Sequence, residues 1–199
     1  MTLAAAALLP LLAAAPRAPD LVDLARVIPD ATIDLRYATP RNVAGKAMYP
    51  PGARCLLLRP VAERLARAAA RLRAAGYTLR LWDCYRPISV QRELWRIQPT
   101  PGLVADPRTG SSHNRGAAVD LALAGPAGAE LELPTDLDAF GPRARSGATE
   151  GLSPAARRHR DLLRAAMRAE GFRPIRLEWW HFEAPEARGA PVLDAPLAP

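Results

Sequence analysis

Histidine is scarce in this chain: there are three in 199 residues, and two of them stand near carboxylates in segments of quite different character. The first segment reads Ser111-Ser112-His113-Asn114-Arg115-Gly116-Ala117-Ala118-Val119-Asp120, with the imidazole in a glycine-bearing turn and the acid inside the apolar stretch that follows. The second is Glu178-Trp179-Trp180-His181. Two imidazoles and one carboxylate form a common catalytic zinc set that leaves a fourth position for water. A separate glutamate nearby is then free to accept that water's proton, the division of labour of zinc hydrolases. Taken singly, each piece is ordinary, because a lone histidine is more often structural than ligating and Trp179-Trp180 reads as core packing. Their joint occurrence is what points to chemistry. The remaining histidine, His159, lies among Arg157, Arg158 and Arg160 and reads as a solvated surface residue.

These groups need elements to position them. Residues 59–75 form the clearest helix: Val61, Leu65, Ala68, Ala69 and Leu72 recur at three-and-four spacing, Pro60 suits a first turn, and Gly76 follows as a stop. Residues 77–84 read as a strand with Leu79 and Leu81 on one side, and 89–97 as a short helix. Residues 102–116 are loop, and 117–123 have the composition of a buried strand. Asp120 inside it needs a partner, because an unpaired buried carboxylate is costly. Ser153 as N-cap, Pro154 in the first turn and Gly171 at the end bound a second helix over 153–170. Ile33, Leu35 and Tyr37 alternate as a short strand would, and 175–182 read as a closing strand. Residues three apart on a regular strand face opposite sides, so Glu178 and His181 share a site only if the strand bulges, ends or twists there. Segregated helices between separated strands predict a single α+β domain over 16–183 with a mostly antiparallel sheet, followed by a proline-rich flexible tail over 184–199.

Hydrophobic residues make up 49% and charged residues 24%, the balance of a soluble globular domain. Arginine drives the net charge of +7, and ten of the 26 arginines alternate with apolar residues on the two helical segments, as on a solvated helix face; Lys46 is the only lysine. No basic run is interleaved with aromatics, so nucleic acid is not expected as a partner. The first fifteen residues carry no charge, and Ala13-Ala14-Ala15 offers a small-x-small cleavage site before Arg17. That reads as a signal peptide over 1–15 and a periplasmic or secreted protein. No lysine or arginine precedes the apolar stretch and Pro10 interrupts it, which keeps open a cytoplasmic protein with an alanine-rich leader. The stretch is shorter than the roughly 20 residues a membrane span needs, so stable membrane insertion is not expected. Cys55 and Cys84 are the whole thiol inventory: a disulfide if the protein is exported, two buried thiols if it is not. No feature bears on oligomeric state.

The pattern Ser111-x-His113-x-x-Gly116-x-Ala118-x-Asp120, followed far downstream by Glu178-x-x-His181, resembles the signature of the D-alanyl-D-alanine dipeptidases of the vancomycin-resistance type. The likeness runs over roughly residues 33–182. It includes Asp83-Cys84-Tyr85-Arg86-Pro87, similar to that family's strand-end motif, and Pro134-Thr135-Asp136-Leu137-Asp138, similar to its Thr-Pro-Phe-Asp stretch with Asp136 and Leu137 in place of proline and phenylalanine. The resemblance implies a hedgehog/D,D-peptidase-like fold and one zinc per chain held by His113, Asp120 and His181. It also implies Glu178 as the general base that activates water against a small D,D-dipeptide, and Arg86 as the group that meets the charge building on the attacked carbonyl. Ser111 and Asp138 are then candidates for gripping the free amino group, which needs acceptors and a negative charge. Beside these roles stand plainer ones: a salt bridge from Arg86 to Asp83, a turn serine at 111, a solvated loop acid at 138. Two other functions remain open. A D,D-carboxypeptidase or endopeptidase acting on peptidoglycan peptides would need an open groove, whereas a dipeptidase needs a small closed pocket, for which residues 124–151 are the candidate lid. A non-catalytic zinc-binding module, as in the hedgehog signalling domain, would have no use for Glu178 as a base.

Overall fold

The computed structural model describes residues 20–198; the signal-like residues 1–15 lie outside that range. In chain order the elements are β1 (Leu21–Asp23), α1 (Leu24–Val27), β2 (Thr32–Ile33), β3 (Leu56–Leu58), α2 (Arg59–Ala74) and β4 (Thr78–Asp83). There follow α3 (Ile88–Ile97), β5 (Ala118–Ala124), α4 (Pro154–Ala169), β6 (Arg173–Pro174) and β7 (His181–Glu183). Five strands form one sheet in the order β2-β4-β5-β7-β6, and β1 pairs with β3 in a separate ribbon. Only β2 and β4 run parallel; the other pairs of the large sheet are antiparallel, as the sequence predicts. The result is a mixed helix-and-sheet domain.

The long helices follow from their apolar stripes. In α2 the buried residues include Val61, Leu65, Ala68, Ala69 and Leu72, the expected face. Ser153 caps α4, its Oγ accepting from the Ala156 N–H at 3.0 Å. The two helices pack against each other, α2 also touching β4 and α4 touching β5. Fully burying a leucine such as Leu65 or Leu163 contributes about 1.5–3 kcal/mol, so these stripes hold the helices on the sheet. β5 is buried along its whole length and forms the centre of the domain.

One irregularity in the sheet matters for the site. Pairing of β4 with β5 is regular from Thr78↔Ala124 to Leu81↔Leu121, then shifts by one so that Asp83, not Trp82, stands opposite Asp120. The extra residue is a β-bulge. Residues directly opposite share a face, so the bulge turns Asp83 toward the side that Asp120 occupies. In the next pair Asp120 stands opposite His181.

Several expectations need correction. The alternation of Ile33, Leu35 and Tyr37 is strand only at Thr32–Ile33; Arg36–Ala38 form a 3-10 turn that carries the Tyr37 hydroxyl to Asp138. The closing strand is split into β6 and β7, with Glu178 in the turn between them. His159 is buried rather than solvated, its Nδ1 on the Glu132 carbonyl, because it lies on the same stripe as Ala156, Leu163 and Met167. The tail is docked, not loose. Its backbone bridges the Ile88 N–H and the Asn114 carbonyl at Leu193, the Ala195 carbonyl accepts from the Tyr85 hydroxyl, and Leu197 is 2% exposed. No helix among the described residues is long and apolar enough to cross a membrane.

Candidate active site

His113, Asp120 and His181 come from three segments and meet at one point. His113 opens a single 3-10 turn, its N–H donating to Ser111 Oγ at 3.0 Å. Gly116 ends that turn with φ +64, a left-handed conformation, and a Cβ there would lie 2.8 Å from the Leu21 side chain. The chain can therefore double back at once into β5, which delivers Asp120, while the Asp120↔His181 pairing delivers the second imidazole. His181 Nδ1 lies 2.9 Å from Asp120 Oδ1 and 3.1 Å from His113 Nε2, and His113 Nε2 lies 3.3 Å from Asp120 Oδ2. All three residues are buried.

The chemistry of this set fits a cation. His113 Nδ1 lies 2.7 Å from the Cys84 carbonyl, which can only accept, so that nitrogen carries the proton and Nε2 turns a lone pair inward. Tetrahedral zinc with ligands at 2.0–2.2 Å sets its donors about 3.3 Å apart, close to the separations found here. Burial disfavours charge on His181, yet the hydrogen bond to Asp120 and the nearby Glu183 carboxylate raise its imidazole to about 10. Burial likewise pushes Asp120 up, but the facing imidazoles more than offset it and hold the carboxyl below the usual range. The point between these groups thus attracts positive charge.

Around the three donors is a cavity of about 310 Å³. Glu178 lines it without joining the donor set, with Oε2 3.9 Å from His181 Nδ1. Burial raises its carboxyl to about 7, against the pull of His181. Arg86 lines the cavity too, and it also makes the salt bridge weighed as the alternative: Nη2 and Nε donate to Asp83 Oδ2 at 2.5 and 3.1 Å. Nη1 donates to Gln91 Oε1 at 3.0 Å, and the guanidinium lies 4.4 Å from the Tyr37 ring centroid. Asp83 is wholly buried and accepts further from the Tyr49 hydroxyl at 2.5 Å and the Cys84 N–H at 2.9 Å.

Ser111 and Asp138 also line the cavity. Ser111 does serve as a turn serine, capping His113. Asp138 is no solvated loop acid: Oδ2 accepts from Tyr37 Oη at 3.0 Å and from the Val43 N–H at 2.9 Å, and burial raises its carboxyl to about 6. Its φ of 57 is left-handed, which a non-glycine residue adopts only when its surroundings hold it there. The irregular segment after β5 thus forms a wall of the cavity, with Asp138 and Phe140 on it. Cys55 and Cys84 are joined by a disulfide beside Asp83.

Sequence reasoning passed over Tyr37, Gln91 and Glu183. Glu183 had a signal, since it stands two residues beyond His181 on a strand and so shares its face. Tyr37 and Gln91 had none, because their partners lie across the fold.

Three side chains that could hold a metal ion, beside a further carboxylate in the same cleft, have the make-up of a metallohydrolase site. Over residues 17–196 the chain matches the family model described as D-ala-D-ala dipeptidase. It is 41% identical over 174 residues to a D-alanyl-D-alanine dipeptidase of Escherichia coli (strain K12), covering 87% of this chain and 89% of that one. Proteins of the same name from Enterococcus faecalis (strain ATCC 700802 / V583) and Streptomyces coelicolor (strain ATCC BAA-471 / A3(2) / M145) are each 33% identical. They cover 75% and 77% of this chain and 84% and 85% of their own. The chain belongs to the D-Ala-D-Ala dipeptidase family of zinc peptidases.

Proposed function

We propose that this protein hydrolyses D-alanyl-D-alanine to two D-alanines with one zinc ion per chain, on a hedgehog/D,D-peptidase-like fold. The observation that carries the reading is the convergence of His113 Nε2, Asp120 and His181 Nδ1 in a cavity of about 310 Å³ with Glu178 beside them and outside the donor set. Zinc held by these three would supply Lewis acidity to the scissile carbonyl and make the attacking water more acidic. Glu178 accepts that water's proton on a carboxylate oxygen and passes it to the nitrogen of the departing D-alanine. A pKa near 7 suits a group that must first take a proton and then give it up.

Arg86 has five N–H groups, and three are committed to Asp83 and Gln91. The other two are available to the carbonyl oxygen as negative charge grows on it, and the committed three fix the plane of the fork. Asp138, with Ser111 nearby, takes the dipeptide's ammonium. Tyr37 and the Val43 N–H hold the Asp138 carboxylate in place. Val43, Leu94, Val104 and Phe140 give the cavity apolar walls suited to two methyl side chains.

We place the protein in the periplasm or outside the cell. That reading rests on residues 1–15 and accords with the Cys55–Cys84 disulfide, which an oxidising compartment preserves. The test is release of D-alanine from D-alanyl-D-alanine by zinc-loaded protein, beside a blocked pentapeptide ending in the same two residues and a chelator-treated control. Chelator-sensitive cleavage of the dipeptide alone is the expected result. Cleavage of the pentapeptide instead would move the protein to the cell-wall carboxypeptidases, and cleavage of neither would leave the endopeptidase and the zinc-binding module as the readings to test.

A further inference from the structure

Glu183 lines the cavity, yet neither the donor set nor the proposed chemistry uses it. With His181 Nδ1 turned to the metal point, the ring's other nitrogen, Nε2, is left to carry the proton. Facing it at 3.7 Å is Glu183 Oε1. That same oxygen accepts a hydrogen bond from Ser112 Oγ at 2.7 Å. Ser112 is the neighbour of His113, and Glu183 lies two residues beyond His181, so one contact ties together the segments that carry both imidazoles. The backbone reinforces it: the Ala117 N–H donates to the Ser112 carbonyl at 3.1 Å, and the Ala184 N–H donates to the Ala117 carbonyl at 2.9 Å.

We propose that Ser112 and Glu183 are positioning residues for the metal centre: Glu183 sets the tautomer and orientation of His181, and Ser112 holds Glu183 beside the ring. The inference rests on the metallopeptidase reading above. A carboxylate behind a ligating imidazole fixes which nitrogen is bare and strengthens it as a donor. At 3.7 Å the contact is electrostatic and longer than a hydrogen bond. Only a third of the Glu183 side chain is exposed, and its bond to Ser112 holds the carboxylate on the side of the ring. No other acidic side chain lies within ion-pair distance of His181 Nε2 among the described residues.

The experiment is competition between the protein and a chelator for zinc, on wild type, Glu183→Ala, Glu183→Gln and Ser112→Ala, with the visible spectrum of the cobalt-loaded forms as a readout of ligand geometry. Thermal melting of each metal-free protein checks that the variants fold. Glu183→Ala is expected to bind zinc about 10–100-fold more weakly with an altered cobalt spectrum. Glu183→Gln keeps an acceptor oxygen and should recover part of that loss, and Ser112→Ala should lose affinity in the same direction by less. Unchanged zinc affinity and spectrum in all three folded variants would overturn the proposal, whatever their activity. A wild type that binds no zinc would overturn both this inference and the reading beneath it. Zinc binding without dipeptide hydrolysis would sink that reading alone.

Discussion

Asp83→Asn exchanges a carboxylate for an amide of the same shape at the point where Arg86 is anchored. The native carboxylate, wholly buried, accepts four hydrogen bonds: two from Arg86 and one each from Tyr49 and the Cys84 N–H. The amide removes the countercharge of a buried guanidinium and turns an N–H toward groups that are themselves donors. Breaking a buried ion pair by removing one partner costs about 3–5 kcal/mol. Tyr49→Phe is the control, since it deletes one hydrogen bond to a charged acceptor, worth about 1.5–3 kcal/mol, and leaves the ion pair whole. The assay is urea unfolding of both variants in the zinc-loaded state, with steady-state kinetics alongside. Asp83→Asn should lose clearly more stability than Tyr49→Phe. It should also lose kcat, because Arg86 no longer has its fork fixed, while zinc stoichiometry is retained. If Asp83→Asn is no less stable than Tyr49→Phe and turns over at the wild-type rate, the buried pair does not organise the site and the reasoning fails.

Glu178→Gln should lower turnover by about 10²–10⁴-fold, the usual worth of a general base, with zinc content unchanged; His113→Ala and His181→Ala should instead lose the metal, as elemental analysis would show. Asp138 has its carboxyl raised to about 6 by burial, and only the ionised form can take an ammonium, so KM should climb as pH falls through about 6. The stability sign is the reverse: the fold favours protonated Asp138, so its contribution is present below the ordinary carboxylate pKa and gone above about 6. An Asp138→Asn variant should show no such rise in KM. Reducing the Cys55–Cys84 bond, which closes a 29-residue separation, should cost about 3.5 kcal/mol on the chain-entropy account, read as a lower melting temperature in reductant.

The cluster of His113, Asp120 and His181, which could hold a metal ion, was legible because histidine is so rare here that two histidines near acids stand out, and the strand character of residues 117–123 made a lone Asp120 conspicuous. What stayed hidden was carried by the backbone or across the fold. The tail reads as loose from its prolines, yet it docks through peptide groups at Leu193, Ala195 and Leu197, which any side chain would offer. Arginines on both sides of His159 suggested solvent, although the three-and-four spacing of Ala156, Leu163 and Met167 already placed it inside. The clash between Glu178 and His181 on one strand was a real constraint, and the chain meets it by ending the strand before Glu178. Tyr37 was visible as an alternating residue, but its contact with Asp138 spans 101 positions, a separation no local pattern reports.

The extra residue at Trp82 acts as a change of phase along β4. Upstream of it the alternation keeps step with the core, where Leu79 and Leu81 meet Leu123 and Leu121; downstream it keeps step with the chemistry, where Asp83 meets Asp120. One strand therefore serves two masters that need opposite parity. Substitutions among the leucines can drift without changing which way Asp83 points. Straightening the step with no residue lost would set Trp82 opposite Asp120 and Asp83 opposite Val119, which leaves the leucine ladder in register and turns the anchor of Arg86 to the wrong side of the sheet.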